Sequence, residues 1–434
     1  MPSIIGIRKE DKNKWERRAP LIPEHIKELI HKHSIKVIVQ SSKIRIFSNE
    51  EYTKAGCMVQ EELSSCPIIF AIKEIPSELI QPEKTYVFFS HTTKGQKHNM
   101  PMLKKLLEQK CNLIDYEKIV NETGMRLIFF GKHAGYAGMI DTLWALGQRL
   151  NWEGIKNPFS NIQQTIFYES LSQAKEALVK VGERIRTGGI DRALVPLVCG
   201  FAGYGNVSKG AQEILDILPT KEISPEELSN IYNKPSGSHI YKVVFKEEHM
   251  VEPISAEKPF QLKDYYENPE RYKSKFHNYI PHLTILMNCI YWDSRYPRFV
   301  TKEYLKKLYS APEKPRLRVI GDISCDINGA VECTLRATDP EKPIFVYNPF
   351  EDSAKLGYEG NGVVVLAVDN LPCELPIESS KDFSEVLKNF IPDIVNADFS
   401  GDFDNCNLPK PIKNAVIVYH GELTPNYRYM EKFL

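Results

Sequence analysis

Residues 193–211 read Ala-Leu-Val-Pro-Leu-Val-Cys-Gly-Phe-Ala-Gly-Tyr-Gly-Asn-Val-Ser-Lys-Gly-Ala. The apolar run Leu194–Cys199 predicts a buried strand running into Gly200, Gly203 and Gly205, and a helix opens near Asn206 with Ala211, Ile214, Leu215 and Leu218 as its apolar positions. Glycines let a backbone turn tightly and approach a pyrophosphate, while a helix N-terminus offers unpaired N–H groups and a positive dipole end. The stretch therefore predicts a dinucleotide cradle made by Gly203, Gly205, Asn206, Val207 and Ser208. Ser208 replaces the usual third glycine but is small enough for close helix–strand packing. An ordinary glycine-bearing strand–turn–helix is the competing reading. The next strand should end near Glu222-Ile223-Ser224. A hydroxyl at Ser224, where a carboxylate would select NAD, leaves room for a 2′-phosphate and points to NADP. Lys209 or Lys221 would supply charge, or else both are solvated surface lysines.

Composition narrows the class. A chain of 434 residues with 42% apolar content is long enough for two or three domains with sizeable cores. Lys plus Arg is 56 and Asp plus Glu is 56, and this zero net charge argues against nucleic acid or an anionic membrane as the main partner. Nine cysteines are scattered without a CxxC pair or a zinc-spaced Cys/His cluster, which implies a reducing compartment and no structural metal. No stretch is long enough to span a bilayer, and the N-terminus enters a strand directly. A cytoplasmic enzyme fits; a mature or trimmed mitochondrial form would look the same.

The first 130 residues alternate strand and helix. Strands are expected at 4–7, 36–40, 68–73, 86–90 and 113–116, and helices at 23–31, 51–55 and 96–109. A turn at Asn121–Gly124 returns into a strand at Met125–Phe130, and long helices follow from Tyr136 and from Glu169. Later strands are expected at 240–245, 283–290, 317–323 and 363–368, and a polar stretch, 246–280, reads as an insertion with little regular structure. Pro372 and Pro376 break the chain, and a helix at 382–391 and a strand at 415–419 return to the first domain. The fold class is α/β with two Rossmann-like domains, parallel sheets flanked by helices. The expected division is 1–134 plus 372–434 for substrate and catalysis, and 135–371 for the dinucleotide.

Four side chains recur after strands of the first domain. Arg18 lies in Trp15-Glu-Arg-Arg-Ala-Pro20, Lys73 in Phe70-Ala-Ile-Lys-Glu74, His91 in Phe88-Phe-Ser-His-Thr-Thr93, and Glu117 follows Ile114-Asp-Tyr116. Ligands of open α/β sheets sit at the carboxyl ends of strands, so these residues can converge on one crevice. Each alone is as readily a solvated or structural residue.

Together, Trp15–Pro23, the Lys73 and His91 strand ends and Gly131-Lys-His-Ala-Gly-Tyr-Ala-Gly-Met139 resemble the alanine dehydrogenase and lysine-forming saccharopine dehydrogenase superfamily. Gly205–Gln212 and Val368-Asp-Asn-Leu-Pro-Cys-Glu-Leu-Pro376 narrow the resemblance to the lysine–ketoglutarate reductase half of bifunctional aminoadipic semialdehyde synthases. Cys325 departs from the smaller residue frequent there. The bifunctional proteins continue into a saccharopine-oxidising domain, whereas this chain stops at Leu434. The resemblance thus implies a monofunctional reductase or a cut-out domain, with the oxidising domain or a separate enzyme as its partner.

That resemblance implies condensation of L-lysine with 2-oxoglutarate and reduction by NADPH to saccharopine, a step of lysine degradation, in an active site lying in the interdomain cleft. It implies Lys73 and His91 as the acid–base pair, Glu117 as a carboxylate tuning the lysine, and no metal. It also implies Arg18 and Arg126 as carboxylate-binding residues, so that loss of Arg18 mainly weakens substrate binding; the bland reading of Arg126 is a surface ion pair. On the cofactor side, Asp322 either faces the nicotinamide or caps the next segment. Asp369 and Leu371 either touch the cofactor or close the domain boundary. The alternatives are an alanine dehydrogenase-like or NAD-linked saccharopine enzyme and, in another class, a non-catalytic nucleotide-binding protein.

Overall fold

The computed structural model describes residues 4–255 and 258–434. They form two compact units, one taking the chain up to Phe130 and from Pro376 onward, the other running Gly131–Leu375. Each is built on an eight-stranded sheet. No described helix is long and apolar enough to cross a membrane.

The first unit lays down β1 (Ile4–Ile7), α1 (Pro23–His33), β2 (Lys36–Gln40), α2 (Asn49–Lys54), β3 (Met58–Gln60), β4 (Ile68–Phe70), β5 (Thr85–Phe88), α3 (Met100–Glu108) and β6 (Asn112–Asp115). The sheet order is β3-β2-β1-β4-β5-β6, all parallel. Strands covered on both faces read as unbroken apolar runs, which is why Ile4-Ile-Gly-Ile7 and Ile68-Ile-Phe70 stand out in the sequence. The outer edge of β6 is taken by Val416–Tyr419, which pairs with it antiparallel. The strand expected at Met125–Phe130 therefore does not form: that edge is occupied, and only a bridge between Val120 and Arg126 spans the turn at Gly124.

The second unit begins with α4 (Gly131–Trp152), α5 (Leu171–Gly188), β7 (Val198–Ala202), α6 (Asn206–Leu215), β8 (Thr220–Ile223) and β9 (Ile240–Phe245). It continues through α7 (Glu247–Met250), β10 (Val251–Pro253), α8 (Leu262–Glu267), β11 (Tyr272–Ser274), β12 (Ile285–Asn288), α9 (Lys302–Tyr309), β13 (Val319–Asp322), β14 (Ile344–Asn348), β15 (Ser353–Leu356) and β16 (Val363–Leu366). The sheet order is β8-β9-β7-β12-β13-β16-β14-β15, with β14 and β15 the antiparallel members.

Three readings need correction here. The glycine strand starts later than Leu194 and runs to Ala202, because Pro196 has no N–H to donate in a central strand; Gly200 thus lies inside β7 rather than in the turn. The polar stretch 246–280 is not irregular. It holds α7, α8 and the β10–β11 hairpin; residues 256 and 257 within it lie outside the described residues. Its tyrosines misled because they pack: Tyr265 meets Tyr272 and Tyr296, each with ring centroids 5.3 Å apart. The helix expected at 382–391 starts at Pro376 and ends at Leu387, since proline is tolerated in a first turn.

Helices α4 and α6 cross at backbone contact. A Cβ on Gly135 would lie 2.1 Å from the Val207 carbonyl oxygen, and one on Gly210 would lie 2.2 Å from that of Lys132. Gly135 of the Gly131–Met139 stretch and Gly210 thus seat α4 against the helix that leaves the glycine turn.

Deeper along α4, Asp141 meets Glu374 from the 371–374 turn, both fully buried or nearly so. Asp141 Oδ1 accepts the Thr165 N–H at 2.7 Å. No N–H or hydroxyl among the described residues reaches Asp141 Oδ2 or either Glu374 oxygen, so a proton shared by the two carboxyls is what satisfies them. Burial pushes both groups up, and the Asp141 charge drives Glu374 further. A carboxyl raised on folding stabilises most below its unfolded pKa, and that gain is lost as pH rises through the folded value. The melting temperature should therefore fall as pH climbs above roughly 5, the upper end of the ordinary carboxyl range. Glu374→Gln, which keeps a donor for Asp141, should flatten that slope; parallel melting curves for the two proteins would exclude the shared proton.

Candidate active site

In the first sheet the strand order reverses between β1 and β4, and loops leaving the carboxyl ends of strands at such a point open a crevice. The loops after β1, β4, β5 and β6, four successive sheet neighbours, carry Arg18, Lys73, His91 and Glu117. Glu10 ties the first two loops together. Its buried carboxylate accepts the N–H groups of Ile72 at 2.7 Å and Lys73 at 3.0 Å, fixing the segment that bears Lys73. Burial and the neighbouring Glu16 charge outweigh those bonds and hold Glu10 up at about 7.

Lys73 itself is half-buried, and its amine has no hydrogen-bond or ion-pair partner among the described residues. Burial lowers its pKa, and Arg18 and Lys12 lower it further, against the opposing charges of Glu16 and Glu74. His91, in a left-handed conformation (φ 47°), gives Nδ1 to Glu74 Oε1 at 2.5 Å. Burial raises Glu74, but the His91 hydrogen bond and charge, with Lys12, prevail and hold it at about 2. Arg18 is buried and committed to Glu16, with Nε and Nη2 each on one carboxylate oxygen at 2.7 and 2.6 Å, and its guanidinium lies 4.2 Å from the Phe130 ring centre.

The structure brings Arg18, Lys73 and His91 into one network through Glu16 and Glu74, two carboxylates that the sequence reading passed over. Both stand one or two residues from a named site residue, but nothing in their spacing separates them from solvated acids. Glu117 is placed differently from its expected role. It pairs with Arg126, so the carboxylates acting on Lys73 are Glu16 and Glu74. Arg126 is exposed. Buried Asp115 links this pair to the β5 loop by accepting the N–H groups of Ser90 at 3.1 Å and Glu117 at 2.8 Å.

In the second unit Gly203 is left-handed (φ 95°) and donates its N–H to the Phe245 carbonyl at 3.0 Å. A Cβ on Gly205 would meet nothing within 4 Å, and no side chain caps the first turn of α6 that follows it. Open backbone N–H groups behind a glycine turn fit a pyrophosphate. Asn206 is exposed there and Val207 half-buried. Ser208 is buried, its hydroxyl taken by Gln212 at 2.9 Å, so its side chain serves packing. Ser224 does not fall beside the cradle: it follows β8, the edge strand, with β9 standing between β8 and β7. There it begins the short turn Pro225–Glu227. Asp322 takes the capping alternative: its buried carboxylate accepts from Asn288 at 2.7 Å, Thr334 at 2.5 Å and the Cys325 N–H at 3.2 Å. Burial pushes it up to about 6 despite those bonds. Asp369 is exposed, and Leu371 is buried against Gly138.

Comparison with known proteins identifies the family. Residues 6–137 match the model of the alanine dehydrogenase/PNT N-terminal domain, and residues 254–426 match that of the C-terminal domain. An Arabidopsis thaliana alpha-aminoadipic semialdehyde synthase is 39% identical over 99% of this chain and 41% of its own length. The mitochondrial enzyme of that name from Mus musculus is 36% identical over 99% of this chain and 48% of its own. The chain thus spans about half the length of these relatives or less. A Neurospora crassa saccharopine dehydrogenase (NAD(+), L-lysine-forming) is 28% identical over 89% of this chain and 90% of its own. Among solved structures, an L-alanine dehydrogenase superposes with a TM-score of 0.62 at 16% identity, covering 99% of this chain and 98% of that one, a likeness of fold.

Proposed function

The chain belongs to the alanine dehydrogenase/PNT family, and from that premise we propose that it is a lysine–2-oxoglutarate reductase forming saccharopine. In this reading the first unit is the substrate and catalytic domain and the second is the dinucleotide-binding domain. A single observation carries it: an unpartnered amine of lowered pKa, Lys73, shares one charge network with a carboxylate-held imidazole, His91, at adjacent strand ends. The names of the relatives, alpha-aminoadipic semialdehyde synthase and L-lysine-forming saccharopine dehydrogenase, support the choice of substrates.

The proton traffic suits these two groups. The ε-ammonium of substrate lysine must lose a proton before its nitrogen attacks the ketone carbon of 2-oxoglutarate. The resulting carbinolamine must then gain one to expel water. Side chains tuned toward neutrality serve both transfers. Lys73, held below the ordinary lysine range, takes the first proton. His91, with Nδ1 fixed on Glu74, keeps Nε2 for exchange with the departing hydroxyl. A bound reduced nicotinamide dinucleotide supplies the hydride. Saccharopine carries three carboxylates, which arginine recognises bidentately, and Arg18 and Arg126 are the proposed contacts. NADPH is the proposed donor on the strength of the resemblance to the lysine–ketoglutarate reductase half of the bifunctional synthases; Ser224, which follows the edge strand, lends it no support.

Oxidation of the reduced dinucleotide should require lysine and 2-oxoglutarate together, with neither sufficient alone. Equal or faster oxidation with pyruvate and ammonia would replace this reading by an alanine dehydrogenase.

A further inference from the structure

Asp115 closes β6 and stands opposite Phe88, the last residue of β5, in the parallel pairing of those strands. Its N–H donates to the Ala415 carbonyl at 3.0 Å, which fixes the residue in the sheet. From there the buried carboxylate reaches the chain leaving β5. One oxygen, Oδ2, accepts both the N–H of Ser90 at 3.1 Å and the Ser90 hydroxyl. The Ser90 oxygen then takes the hydroxyl of Thr92 at 2.8 Å.

His91 sits between those two buried residues, left-handed with φ 47°. A residue with a Cβ adopts that conformation at a cost, and keeps it only where its surroundings over-determine it. They do so here: Ser90 is bound twice, Thr92 is tied to Ser90, and the Asn99 amide donates to the His91 carbonyl at 3.2 Å. Asp115 is the sheet-anchored end of this chain of bonds.

We propose that Asp115 is a positioning residue for His91: through Ser90 it holds the left-handed turn that keeps the imidazole Nδ1 on Glu74 and leaves Nε2 for proton exchange. Its effect on turnover rests on the reductase reading above; its effect on the ring does not. Three donors converge on the carboxylate, since Oδ1 also accepts the Glu117 N–H at 2.8 Å. Asparagine has the same shape but one acceptor oxygen, and its NH2 would face a donor.

The test reads the ring directly. Nitrogen NMR of the full chain, isotope-labelled at histidine and free of substrate, locates the ring proton, and the His91 signals are assigned by their loss in His91→Gln. With the ring titrated to its neutral form, wild type should carry the proton on Nδ1. Asp115→Asn should spread it over both nitrogens and lower kcat by about 10²-fold, the scale of a misplaced group, with KM little changed. Asn112→Ala, which takes partners from Thr85 and His420 at the other end of β6, should lose stability but keep both the Nδ1 proton and kcat. Ser90→Ala removes one of the two bonds from Ser90 to Asp115 and should shift the proton in the same direction. An Nδ1 proton retained in Asp115→Asn, or in Ser90→Ala where the first does not fold, would overturn the proposal, as would its equal loss in Asn112→Ala or an altered ring with kcat unchanged. If wild type turns over no lysine with 2-oxoglutarate, the substrate reading falls, and the ring still decides the role of Asp115.

Discussion

Lys73→Met should lower turnover by roughly 10²–10⁴-fold, the usual worth of a positioned acid–base group, with dinucleotide affinity unchanged. Methionine keeps the length and apolar stem of lysine but can move no proton. The fold should tolerate it, because the Lys73 amine holds no partner among the described residues that would be stranded. The backbone N–H that anchors this segment to Glu10 is untouched by the exchange. A companion change tests the electrostatics. Glu74 favours the charged lysine, so Glu74→Gln should move the Lys73 limb of a kcat/KM–pH profile to lower pH. Undiminished turnover in Lys73→Met would remove the residue from the mechanism. A profile that stays put in Glu74→Gln would separate the two side chains.

What the sequence disclosed follows from what is local. Parallel strands are buried on both faces, so Ile68-Ile-Phe70 and Tyr86-Val-Phe88 show as apolar runs, although the ends expected at 73 and 90 lie three and two residues past the observed ones. Lys73, His91 and the glycine turn lie at or just past such ends. What stayed hidden depends on neighbours across the sheet. Nothing in Thr220–Ile223 says that it forms an edge and that Ile240–Phe245 slips between it and β7, yet that one choice takes Ser224 away from the glycine turn. The partners of the site were hidden for a similar reason. Glu16 and Glu74 look like solvated acids until folding places one on Arg18 and the other on His91. The tyrosines of 265–296 read as a polar stretch because hydroxyls lower its hydropathy while the rings pack against one another.

Arg18→Met should destabilise the first unit by about 3–5 kcal/mol, the scale for removing one partner of a buried ion pair. The loss should appear in urea unfolding before any effect on substrate affinity is read. The side chains of Arg18 and Glu16 are 1% and 0% exposed, so the variant takes the guanidinium away from a buried carboxylate. It also removes the guanidinium from the face of Phe130, a smaller contribution of about 0.5–2 kcal/mol. This revises the expectation that losing Arg18 chiefly weakens substrate binding: a residue already gripping Glu16 with two nitrogens is part of the fold before any substrate arrives. Changing both residues, Glu16→Met with Arg18→Met, should recover much of the stability, because replacing a whole buried pair by apolar side chains of similar volume is often neutral. The double variant should still lack turnover if Arg18 also meets a substrate carboxylate. An Arg18→Met protein that unfolds at the wild-type urea midpoint would show that the buried pair contributes nothing, and would return Arg18 to a role in substrate binding alone.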